Sequence, residues 1–136
     1  MPRSPYDQIH SLVFFGRMLD KIRLHAVGKL PEAYLANLGE KMDGVCVRFL
    51  GVDYEALKKV TIAGASDEEA WAWCIKNGKA HTEEEMIIWN AFMMKHGWHD
   101  DAAELVKQRL KECGYEGRTD IQTIFDYIDL DEGRIK

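Results

Sequence analysis

Apolar residues recur along this chain at three- and four-residue steps, the spacing of helices that bury one face. Ile121, Ile124, Phe125 and Ile128 share such a face, while Asp120, Gln122 and Asp126 turn away from it. Ala70, Trp71, Cys74 and Ile75 form another. Capping signals mark the boundaries. Ser66 with Glu69, Thr82 with Glu85 and Thr119 with Gln122 have capping-box spacing. Asp43, Asp53 and Asp100 or Asp101 can cap further segments. Gly28, Gly64, Gly78, Gly97 and Gly114 stand where helices would stop. The pattern predicts helices over 4–27, 31–38, 44–50, 54–62, 66–78, 82–97, 100–114 and 119–129. Val45, Val47 and Phe49 alternate as a strand would, but no second strand offers itself, so 45–50 is read as a short buried helix. All three prolines lie at or before Pro31, and the remainder suits a run of helices. The expected fold is all-α, a single compact domain over residues 1–136 with about seven or eight helices, several of them short.

Composition narrows the class. The chain has 136 residues, 46% of them hydrophobic, enough to bury a core in one domain. Lys plus Arg is 18 and Asp plus Glu is 23, a net charge of −5. An acidic chain is a poor match for general nucleic-acid binding, which rests on neutralising phosphates. The apolar run Leu12-Val13-Phe14-Phe15 stops at Gly16-Arg17, too short for a signal-peptide core or a membrane span. Cys46, Cys74 and Cys113 are odd in number and widely spaced. They fit small apolar packing in a reducing cytoplasm better than disulfides or a zinc site.

Function is sought where polar residues interrupt apolar faces. In the first predicted helix Arg23 falls inside the apolar arc and Asp20 at its margin, three residues apart and therefore neighbours. Gly16 leaves a notch one turn away. Such charges either form a structural ion pair or line a polar pocket. In the pocket, Arg23 would hold an anion and Asp20 would orient it or move a proton. Arg17, Lys21, His25 and Lys29 form a separate cationic stripe, read as a solvated face. Arg48 is the one charge in an apolar run and is expected to snorkel outward. The segment 86–94 is apolar nearly all round, which suits a central helix or an exposed interface. Asn90 is its sole polar interruption and must find hydrogen-bond partners, or touch a ligand beside Trp89.

Other signals are weaker. His96 and His99, with Asp100 or Asp101, are separated by a helix-breaking Gly97, so no metal site is expected. The acidic tail ends before a calcium loop could close. No P-loop, dinucleotide motif or serine elbow is present, and no cofactor is expected. Two readings remain, and the sequence leaves catalysis open. The first is a cytoplasmic binding or protein-interaction domain, homo-oligomeric or with a protein partner. The second is a small-molecule or enzymatic site for an anionic ligand built from Asp20, Arg23, Arg48, Trp89 and Asn90. Neither nucleic acid nor membrane is expected as a partner.

Several blocks together resemble a bacterial family catalogued as domain of unknown function 5069. They are Arg3-Ser4-Pro5-Tyr6-Asp7, Arg17-Met18-Leu19-Asp20-Lys21-Ile22-Arg23 and Gly28-Lys29-Leu30-Pro31. Arg48-Phe49-Leu50-Gly51-Val52-Asp53-Tyr54, Trp73-Cys74, Ile88-Trp89-Asn90-Ala91-Phe92 and Asp120-Ile121-Gln122-Thr123 continue the similarity over essentially the whole chain. The resemblance implies a small, soluble bacterial protein and brings no reaction, cofactor or site.

Overall fold

The first apolar cluster is too dense for one helix face. Leu12, Val13, Phe14 and Phe15 are consecutive, and a helix would spread them around most of its circumference. In the computed structural model, which describes residues 1–136, they are all buried because the chain makes a hairpin there. Strands β1 (Gln8–Ile9) and β2 (Leu12–Val13) pair antiparallel, Gln8 opposite Val13 and Ile9 opposite Leu12. His10 and Ser11 turn between them at φ 47° and 68°, the left-handed pair a two-residue hairpin needs. The expected helix over 4–27 is therefore shortened to α1 (Phe15–Ala26), and the fold is mostly helical rather than purely so.

The rest follows local sequence more closely. A 3₁₀ helix (Glu32–Asn37) follows Pro31. Residues 45–50 are helical, inside α2 (Lys41–Leu50), which Gly51 ends in the left-handed conformation at φ 70°. Asp43 was expected to cap this helix, but it lies inside it and is buried. Asp53 caps α3 (Tyr54–Ile62), its side chain accepting from the Ala56 N–H at 3.0 Å. Two of the three anticipated capping boxes form: Ser66 and Glu69 on α4 (Asp67–Asn77), Thr82 and Glu85 on α5 (Glu83–Lys95). Helix α6 (Ala103–Glu112) starts after Ala102, because Asp100 uses its carboxylate on the Gly97 and Ala102 amides instead of capping. Helix α7 (Ile124–Asp131) is capped by Thr123, four residues beyond the Thr119 expected.

The main core joins the hairpin, α1, α2 and α5 through residues such as Phe15, Leu19, Leu50, Trp89 and Met93, with Phe125 from α7. A smaller cluster, Val106, Leu110, Ile121 and Leu130, lies between α6 and α7. Cys46 and Cys74 are buried as expected of small apolar side chains, whereas Cys113 is exposed. No helix is long and apolar enough to cross a membrane.

Candidate functional site

Arg17 and Lys21 stand one turn apart on α1, on the face the sequence suggests is solvated. The structure reverses that reading: they are only 5% and 7% exposed. The face is covered by the 3₁₀ helix, the start of α2 and the end of α7, none of which periodicity within α1 could reveal. Two ion pairs result. Arg17 grips Glu132 with both guanidinium nitrogens, Nη1 to Oε1 at 2.8 Å and Nη2 to Oε2 at 2.6 Å, the fork geometry that makes such pairs strong. The Tyr34 hydroxyl donates to Glu132 Oε2 at 2.6 Å. Lys21 Nζ lies 2.7 Å from Asp43 Oδ1, a charge-assisted contact between two enclosed groups. Asp43 Oδ2 accepts from the Gly39 N–H at 3.1 Å.

These groups form one wall of a cavity of about 410 Å³ between the two apolar clusters. That volume is within the usual range for small-molecule pockets. Phe14, Tyr34, Leu105, Ile124 and Tyr127 supply apolar and aromatic surface. Four basic side chains (Arg17, Lys21, Lys41, Arg109) and four acidic ones (Glu40, Asp43, Asp131, Glu132) line it, so its formal charges balance. Phe14 and Lys41 have φ of 74° and 49°, a region costly for side chains other than glycine and one that clusters at functional sites.

Burial sets the acid–base character. It pushes the Lys21 ammonium below its ordinary value and the Asp43 carboxyl above its own, and mutual attraction offsets this only in part. Burial and the hydrogen bond to Glu132 push the Tyr34 hydroxyl up to about 12. Burial opposes ionisation of Glu132 too, but Arg17, Tyr34 and Arg134 together hold it below the usual carboxylate range. The site thus pairs a firmly ionised Arg17–Glu132 clamp with a Lys21–Asp43 couple whose proton is less firmly assigned. Such a couple can exchange a proton with a bound molecule.

The five residues singled out from sequence lie elsewhere. Asp20 and Arg23 are 3.4 Å apart, in a half-exposed cluster with Arg3 and Asp67. Arg3 Nε reaches Asp20 at 2.9 Å, and Arg23 Nη1 reaches Asp67 at 2.8 Å. The Arg3 side chain fills the notch at Gly16, where a Cβ would lie 2.8 Å from its Nη1. This cluster fastens the N-terminal segment and the start of α4 onto α1. Asn90 clamps the hairpin, accepting from the Val13 N–H at 3.0 Å and donating to the Ser11 carbonyl at 2.5 Å. Trp89 Nε1 donates to the Val13 carbonyl at 3.3 Å. Arg48 is exposed, as snorkelling requires. None of the five lines the 410 Å³ cavity, and they form no common site. The cavity residues the sequence reading did not select are Arg17, Lys21, Tyr34, Asp43 and Glu132. No local signal marks them, because their partners arrive from the 3₁₀ helix, α2 and the end of α7.

His96, Asp100 and Asp101 bring ligand atoms within 4.8 Å of one another. Both Asp100 oxygens already accept from the Gly97 N–H, which makes that carboxylate a turn-former.

A family model described as a domain of unknown function (DUF5069) matches residues 1–134. No curated protein matches the chain.

Proposed function

Because the chain belongs to the DUF5069 family, whose description names no activity, we propose a function from its geometry: binding of a small polar molecule in the cavity walled by Lys21 and Asp43. The observation that carries this is a nearly buried ion pair beside a 410 Å³ cavity that is lined by balanced charges and aromatic surface. An ion pair serving packing alone gains nothing from facing a void, since replacing it by apolar residues is often neutral or stabilising. Four basic and four acidic lining residues favour a zwitterion or a neutral molecule with donors and acceptors over a strongly anionic ligand. Lys21 would contact it and supply or remove a proton, with the enclosed Asp43 behind the ammonium setting its charge; that step would make the protein an enzyme.

Thermal-shift measurements with amino acids, polyols, dicarboxylates and inorganic phosphate test the reading. Ligand at about 100 times its dissociation constant stabilises the native state by about 2.7 kcal/mol. A zwitterionic or neutral compound should raise the melting temperature of the wild type saturably. It should leave the Lys21→Met/Asp43→Leu double variant unmoved although that variant is folded. The reading fails if no compound moves the wild type, or if one moves both proteins equally.

A further inference from the structure

Helix α5 buries Trp89 and Met93 but leaves Ile87, Ile88 and Phe92 61%, 60% and 51% exposed. A monomeric surface seldom gathers so many large apolar side chains on one short helix. At 100° per residue, Glu84, Ile88, Ala91 and Lys95 run along the centre of this exposed face, with Ile87 and Phe92 beside them. The order of residues is self-complementary. An antiparallel second copy centred between Trp89 and Asn90 sets Glu84 against Lys95 and Ile88 against Ala91, each pairing made twice, with Ile87 and Phe92 covering the two flanks of the seam.

We propose that α5 is the two-fold interface of a homodimer, packed against α5 of a second copy of this chain in that antiparallel register. Charge complementarity selects this occupant. The N-terminal end of the face is acidic, with Glu83 and Glu84 exposed, and the C-terminal end carries the exposed Lys95. Antiparallel pairing brings each acidic end onto a basic one and opposes the two helix dipoles, whereas parallel pairing stacks like charges. The intrachain ion pairs of this helix use Glu85, with His81, and leave Glu84 and Lys95 for the partner. Ala91 facing Ile88 sets a small side chain against a large one and lets the helix axes approach closely. The helix has 13 residues, about 20 Å, so the contact lies at the small end of specific interfaces. It is a reversible dimer with a dissociation constant in roughly the micromolar range.

Sedimentation equilibrium of the full chain from about 1 μM to about 1 mM spans that range. The wild type should shift from monomer to dimer and no further. Ile88→Glu alters a largely exposed side chain, so the fold should persist by circular dichroism while the dissociation constant rises at least about tenfold. Glu84→Lys and Lys95→Glu should each weaken the dimer, and the double variant Glu84→Lys/Lys95→Glu should restore it. Any of three results overturns the proposal: a wild type monomeric throughout, a dimer indifferent to Ile88→Glu, or charge reversals that do not rescue each other. A monomer that instead floats with phosphatidylcholine vesicles assigns the face to a lipid surface and also overturns it.

Discussion

Replacing Lys21 by Met removes an ammonium from the cavity wall while keeping an unbranched chain of similar length. Asp43 then retains the Gly39 hydrogen bond at 3.1 Å and loses the cation 2.7 Å from Oδ1. Its side chain has no solvent exposure, so the charge cannot be rehydrated without opening the fold. Removing one member of a buried pair costs roughly 3–5 kcal/mol. Asp43 can limit that loss by taking up a proton. The loss that remains is then set at the low end of that range, about 3 kcal/mol. That is a large share of a typical stability of about 5–15 kcal/mol, and corresponds to roughly 10 °C in melting temperature.

The pH dependence follows from the direction of the shift. A carboxyl raised on folding leaves the native state with the extra proton, so stability falls as pH rises between the two values. The Lys21→Met deficit should therefore be small near the unfolded value of about 4, and grow upward until the raised native value is passed. Asp43→Leu strands the amine instead, whose native value is lowered, so its deficit should shrink as pH rises. The double variant strands nothing and should recover most of the loss, or exceed the wild type by about 1–4 kcal/mol. Urea denaturation of the four proteins at pH 4, 7 and 9 measures all three effects. A Lys21→Met variant with the wild-type midpoint at pH 7, or a deficit independent of pH, would refute the buried-pair argument.

Glu132, Asp20 and Asp67 each oppose burial with arginine hydrogen bonds and ionise below their ordinary range. Their stabilisation is present above the unfolded carboxyl values and is lost as pH falls through the native ones; urea midpoints should drop in acid, and Glu132→Gln should flatten that drop. Asn90→Ala leaves the Val13 N–H and the Ser11 carbonyl without their partner, which should cost about 1–3 kcal/mol and speed hydrogen exchange at the Val13 amide. Exchange at Val13 unchanged from the wild type would show that the hairpin does not depend on this clamp.

By itself the sequence determined what is local. Capping at Asp53, Ser66 and Thr82 and the burial of Ala70 and Cys74 on one face of α4 depend on groups three or four residues apart, within reach of periodicity and spacing, although Ile75 of the same expected face is exposed. The hairpin was less legible because His10 and Ser11 make its turn without glycine, and because its strands are only two residues long. Tertiary structure decided the site. An i, i+4 basic stripe looks the same whether water or a 3₁₀ helix covers it, and Arg17 meets its carboxylate 115 residues away. Asp20 and Arg23, which interrupt an apolar arc, need no pocket, because Arg3 and Asp67 arrive to neutralise them. Burial of a charge depends on what packs over it, and only the assembled chain supplies that cover.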